Sequence, residues 1–258
     1  MPRPAVTLVL VQQQHGQFVS PNGYAAWRGF SDRGFDTRFY EWPALRDGGV
    51  AVDPATLVVG GAGAVGHALG RLGVPTPAIE DHPEPLAAFR GRRIWHSTWG
   101  EVRALYKERG PTLFVKPLRD PKAFPAGVVS EFRDLIPAAR MPDDMPVLVS
   151  DPVEFTSEWR FFVLRGSVVG AGWYAGDPLV LPDARVVGDA VRAWGPGAPA
   201  GYGIDFGVTA DGRTLLVEVN EGYSLGCLGL KPIVYSQILE ARWVELAAKA
   251  GSRQQGAM

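Results

Sequence analysis

The 258-residue chain holds one cysteine, Cys227, and four histidines. A lone cysteine excludes a disulfide framework and any cysteine-based zinc site. Lysine is scarce as well, since only five of the 26 basic residues are Lys and the other 21 are Arg. Any single arginine is therefore a weak signal, and a lysine kept inside an apolar strand is a stronger one. No sign of charge dominates: the formal net charge is −1 and no block of like charges occurs. That excludes a broad basic face and, with it, a nucleic acid partner. No stretch approaches the roughly 18 apolar residues of a membrane span. Residues 5–11 are too short, and too poorly preceded by charge, for a secretory signal. The expectation is a soluble, cytoplasmic protein with no membrane partner. With 46% hydrophobic and 21% charged residues, the chain is neither disordered nor fibrous and can bury a large core.

The pattern divides into three parts: an N-terminal α/β unit over 1–85, a small subdomain over 86–148 and a C-terminal subdomain over 149–258. In the first, strands are expected at 5–11, 36–41 and 56–59, with helices at 21–30 and near 67–72. Gly73-Val74-Pro75-Thr76-Pro77 ends the last helix and opens a Pro-rich linker to 85. In the second, a helix is expected over 100–109, a strand over 112–116 and a helix near 130–135. The third opens with Val147-Leu148-Val149 and continues with strands 158–164, 167–174, 203–208 and 214–220. These are antiparallel in pattern and joined by Arg-Gly or Asp-Gly turns. An amphipathic helix over 233–250 closes the chain.

Two motif matches fail on context. Gly61-Ala62-Gly63-Ala64-Val65-Gly66 spells a dinucleotide fingerprint. It follows the third strand rather than the first and opens a short helix, so its glycines serve a tight turn. Gly222-Tyr223-Ser224-Leu225-Gly226 spells a hydrolase nucleophile elbow, but His15, His67, His82 and His96 all precede Ser224. In that fold the triad histidine follows the serine.

The stretch 203–220 is the most informative. Asp211-Gly212 is a strong two-residue turn signal. A turn there places Ala210 opposite Arg213, Ile204 opposite Val219, Phe206 opposite Val217 and Val208 opposite Leu215, an apolar face for the core. On the other face Asp205 stands opposite Glu218, with Asn220 two residues along. Facing carboxylates repel, whereas two carboxylates and an amide are the hard oxygen ligands that Mg²⁺ prefers. A magnesium ion carrying a nucleotide phosphate reconciles the two.

Other parts of a nucleotide site are present. Thr112-Leu113-Phe114-Val115-Lys116-Pro117 puts an ammonium at the end of an apolar strand, where it needs an anionic partner. The loop 119–127 carries Lys122. Glu158 and Arg160 share one face of their strand, either as ligand contacts or as an ordinary ion pair.

These residues resemble the ATP-grasp superfamily over roughly 75–230. The shared elements are the Phe-Val-Lys-Pro strand, a hinge strand over 147–153, the Glu158-Trp-Arg strand, and the late Asp205 with Glu218-Val-Asn220. The resemblance implies an ATP-grasp fold of mixed α/β (α+β) class, in which a small N-terminal α/β unit precedes two α+β subdomains that clasp the nucleotide. It implies ATP as substrate and Mg²⁺, with Mn²⁺ as a substitute, held by Asp205, Glu218 and Asn220. Lys116 would contact the α- and β-phosphates, Ser150, Asp151 and Val153 would lie along the adenine, and Glu158 would accept from the ribose. Arg160 would sit near the γ-phosphate or an acyl phosphate, and Lys122 in the phosphate-covering loop.

Three departures stand out. That loop carries Pro121, Phe124 and Pro125 instead of small residues. An earlier family lysine is missing, with Arg103 the nearest replacement and Arg93 a weaker one. Gly203 stands where an arginine often precedes the metal aspartate. The sequence is most similar to a clade in which Arg replaces some family Lys residues. The implied activity is a carboxylate–amine ligase forming an amide through an acyl phosphate, its partners small-molecule or peptide carboxylates and amines. A kinase-like phosphotransferase on a hydroxyl, or a non-catalytic nucleotide-binding module, would use the same site.

Overall fold

The computed structural model describes residues 6–78, 80–118 and 123–254. The chain forms two compact units, one of residues 1–89 with 156–258 and the other of 90–155. The first and third segments expected from the sequence thus share one unit.

The larger unit begins with β1 (Leu8–Gln14), β2 (Gln17–Phe18), α1 (Pro21–Asp32), β3 (Asp36–Glu41), α2 (Trp42–Arg46), β4 (Thr56–Val59) and α3 (Ala62–Arg71). β1 pairs in parallel with both β3 and β4, and β2 folds back on the end of β1. Val9, Val11 and Leu57 on these strands are buried among Phe30, Val65 and Leu69 of the flanking helices. Alternating strands and helices with apolar central strands make this open parallel arrangement the one that buries both faces. α3 starts five residues earlier than the expected 67, because Gly61 serves as its N-cap.

The smaller unit contains β5 (Ile94–Thr98), α4 (Trp99–Lys107), β6 (Leu113–Pro117), β7 (Gly127–Val129) and β8 (Pro146–Ser150), in the antiparallel order β5-β8-β6-β7. β8, expected to open the third segment, belongs to this sheet, since its neighbours β5 and β6 bury Val147 and Val149 against Trp99 and Val115. A capping box starts α4: Thr98 accepts from the Glu101 N–H and Glu101 accepts from the Thr98 N–H. The helix expected near 130–135 is a 3₁₀ segment, Phe132–Ala138, interrupted by Pro137.

The chain then returns to the larger unit with β9 (Ser157–Leu164), β10 (Ser167–Gly176), α5 (Ala184–Trp194), β11 (Gly201–Val208), β12 (Thr214–Glu221) and α6 (Pro232–Gln254). These strands form an antiparallel sheet in the order β10-β9-β11-β12. One face, with Tyr202, Ile204, Phe206 and Leu216, packs on Val187, Ala190 and Val191 of α5. The other face of β11 carries Gly201, Gly203, Asp205 and Gly207. A side chain at Gly201 would start only 2.4 Å from the Ile238 carbonyl of α6, so the glycine lets that helix close on the sheet.

Candidate metal and nucleotide site

The β11–β12 hairpin differs from its expected form in two places that offset each other. Its turn is a three-residue loop, with Thr209 N–H donating to Arg213 O at 3.0 Å, Gly212 N–H donating to Thr209 O at 2.8 Å, and Gly212 at φ +81°. Val208 therefore faces Thr214 and Phe206 faces Leu216, not Leu215 and Val217. A register shift next to Asp205 leaves Val217 as an extra residue, and beyond it the expected pairs Ile204–Val219 and Asp205–Glu218 hold. The bulged Val217 carbonyl lies 2.8 Å from His82 Nε2, and Val219 N–H donates to Asp81 O at 2.9 Å.

Asp205, Glu218 and Asn220 come together on this hairpin. Asn220 Nδ2 donates to Asp205 Oδ2 at 3.1 Å and to Glu218 Oε1 at 3.3 Å, so one amide bridges both carboxylates. The sequence reading named Arg160 as a phosphate contact and missed its place in this cluster. Arg160 on β9 stands beside Asp205 in the sheet, and its Nε and Nη2 donate to Asp205 Oδ1 and Oδ2 at 2.8 and 2.7 Å. Side-chain exposure is 7% for Arg160 and 6% for Asp205, making this a buried bidentate pair. Its strands are 45 residues apart, and a cross-strand partner at that separation leaves no local trace. Gly203 supplies the room, because a Cβ there would lie 3.1 Å from Arg160 Cδ. The guanidinium absent from position 203 thus arrives from the neighbouring strand.

Burial raises the Asp205 carboxyl above the ordinary carboxylate range, against the opposing pull of Arg160 and Asn220. For Arg160, burial works against the charge, but the hydrogen bonds and charge of Asp205 outweigh it and its pKa lies above the ordinary value. Among the described residues no three His, Cys, Asp or Glu side chains gather as a metal cage. The donor set still suits Mg²⁺, which takes one or two carboxylates and completes its shell with phosphate oxygens and water. With an ion bound, Asn220 would turn its amide to present oxygen.

The remaining expected residues fall as follows. Glu158 is half-buried on β9, two residues before Arg160. Lys116 is half-buried on β6 opposite Leu148 of β8, and the buried Ser150 of β8 lies opposite Phe114. Asp151 accepts from Arg93 Nε at 3.0 Å and from Nη2 at 2.8 Å, which fastens the segment leading to Val153. Arg103 on α4 is ion-paired with Asp143. Lys122 lies outside the described residues. Phe124 of the same loop is buried against Trp99 with ring centres 5.4 Å apart, so the apolar departure from the family pattern is a core contact.

A family model described as an ATP-grasp domain, family 2 of the R-to-K clade, matches residues 89–238. The chain belongs to this family. Its fold is that of ATP-grasp proteins: D-cycloserine synthetase DcsG is 15% identical at a TM-score of 0.58, covering 94% of this chain and 99% of that one. D-alanine–D-alanine ligase from Bacillus anthracis, complexed with ATP, is 15% identical at 0.57, covering 95% and 98%. The ATP-grasp ligase PsnB, complexed with a phosphomimetic variant of its minimal precursor, Mg and ADP, is 17% identical at 0.52, covering 94% and 99%. No curated protein matches the chain.

Proposed function

We propose that this ATP-grasp protein is an ATP- and Mg²⁺-dependent carboxylate–amine ligase. The observation that carries the reading is the hairpin cluster, in which Asn220 bridges Asp205 and Glu218 while Arg160 braces Asp205. Its placement in a family-matched segment, and the ligase neighbours solved with ATP or with Mg and ADP, support it. Asp205, Glu218 and Asn220 would hold Mg²⁺, which when bound neutralises charge on the phosphates. Lys116, with Lys122 and Arg103 as further candidates, would bind phosphate. Ser150, Asp151 and Val153 would line the adenine, and Glu158 would accept from the ribose hydroxyls.

In the reaction proposed, a carboxylate oxygen of the acid attacks the γ-phosphorus. The bond from that phosphorus to the bridging oxygen breaks, and ADP leaves with the electron pair. The amine nitrogen then attacks the acyl carbon, phosphate departs, and the amine proton passes to solvent. The chain contributes placement and charge compensation rather than a covalent nucleophile. Arg160 can add one donor, Nη1, since Nε and Nη2 are engaged by Asp205.

Incubation with ATP, Mg²⁺ and pooled amino acids and small acids, followed by ADP quantification and mass spectrometry, tests this. The proposal expects ADP and a new amide in equal amounts. A phosphorylated acceptor without an amide would replace the ligase with a phosphotransferase.

A further inference from the structure

A cavity of about 250 Å³ lies within the larger unit, where the carboxyl ends of β1 and β4 meet the loop after β12. Open parallel sheets bind ligands at this end of their strands. Three hydrogen bonds fix the loop over it. Ser224 Oγ donates to Gly60 O at 2.9 Å, Cys227 N–H donates to Asn22 Oδ1 at 2.9 Å, and the Tyr235 hydroxyl donates to Leu225 O at 2.7 Å.

Two donors remain unused at its edge. Because Cys227 holds Asn22 Oδ1, the orientation of the amide is set and Nδ2 is the atom left over. The Asn22 Nδ2 and Arg160 Nη1 groups have no partner among the described residues, although the Arg160 side chain is 93% buried by its 7% exposure. Both aim at one place. The point where a Cβ would stand on Gly226, a cavity-lining residue, is 3.7 Å from Arg160 Nη1 and 4.0 Å from Asn22 Nδ2. Buried donors without acceptors are costly, and two that converge on empty space describe the seat of an oxyanion. The amino ends of α1 and α3, neither with an acidic residue in its first turn, face the same cavity and favour negative charge.

Among the described residues no charged side chain lines the cavity, and its walls include Val19, Val59, Leu225 and Leu239. No carboxylate among them receives an ammonium group. At roughly 30 Å³ per water the space holds on the order of eight waters, enough for a small molecule.

We propose that this cavity is the acid-substrate pocket, and that it takes a small monocarboxylic acid with an uncharged body, its carboxylate seated over Gly226 between Arg160 Nη1 and Asn22 Nδ2. The inference rests on the ligase reading and names its substrate class.

Gly226→Ala and Asn22→Asp test it on the full chain. An alanine meets no atom closer than 3.7 Å but occupies the seat. Aspartate keeps an oxygen for Cys227 N–H and replaces the free donor with an acceptor. Propionate, propionamide, alanine and inorganic phosphate are titrated separately while the Asn22 side-chain and Gly226 backbone amide signals are followed by NMR. Propionate alone should move both signals strongly, with affinity at least tenfold weaker in either variant and melting temperatures unchanged. Equal propionate affinity in the wild type and both variants overturns the proposal. So does a response to phosphate without propionate, or tighter binding of alanine than of propionate. MgATP titrated into the same samples reads the nucleotide proposal separately. Nucleotide binding without a propionate response sinks only the pocket, and the converse sinks only the nucleotide site.

Discussion

At the scale of single residues, Asp205 is held between two demands. The sequence sets it against Glu218, which suggests that neutralising it would relieve repulsion. The structure reverses that expectation, because Arg160 already compensates Asp205 through two buried hydrogen bonds. Removing either partner strands a buried charge, a loss of about 3–5 kcal/mol. Arg160→Ala and Asp205→Asn should therefore each lower the urea midpoint sharply. The double variant Arg160→Met with Asp205→Asn should lose less than the sum of its single changes. Strict additivity in such a double-mutant cycle would show that the two side chains are not coupled. Glu218 is different: it is half-buried and makes no ion pair with Arg160 at bonding distance. Glu218→Gln thus probes the metal without unfolding its surroundings.

At the scale of elements, the late hairpin shows what local signals convey. Alternation fixed the face of Asp205 and Glu218, and Asp-Gly located the turn. The turn is one residue longer than expected, and the bulge at Val217 restores the register beyond it. Alternation reads the side of a strand but not an extra residue, so both deviations were invisible while their sum was not. Gly212 has φ +81°, and Gly212→Ala should cost about 1 kcal/mol by chemical denaturation. Strand partnerships were less legible. β8 reads equally well as the start of the third segment, and only its pairing with β5 and β6 assigns it to the smaller sheet. The Arg160–Asp205 pair escaped for the same reason.

The α4 capping box gives a further check. The Ser97 hydroxyl, and next the Thr98 backbone N–H, hold the Glu101 carboxyl below its ordinary pKa. A carboxylate depressed on folding stabilises above its unfolded pKa, and that support disappears as pH falls through the folded value. Glu101→Gln should flatten the acid limb of the stability curve, and Thr98→Ala should cost about 1 kcal/mol. Unchanged amide-exchange protection of α4 in Thr98→Ala would contradict the cap's role.

At the scale of the molecule, two compact units carry the proposed parts. Residues 90–155 hold Lys116, Ser150, Asp151 and Val153, and the larger unit holds Glu158, Arg160 and the hairpin cluster. No helix among the described residues is long and apolar enough to cross a membrane. If nucleotide binds only the folded chain, MgATP at a hundred times its dissociation constant should stabilise it by about 2.7 kcal/mol. A calorimetric scan should show that gain as a rise in melting temperature that grows with nucleotide concentration. The central claim is that Asp205, Glu218 and Asn220 hold the magnesium of a bound nucleotide. Titration calorimetry of ATP with and without Mg²⁺, in the wild type and in Glu218→Gln, tests it most directly. The account predicts that Mg²⁺ tightens ATP binding at least tenfold in the wild type and has little effect in the variant, at equal melting temperature. The same Mg²⁺ dependence in both proteins would contradict it.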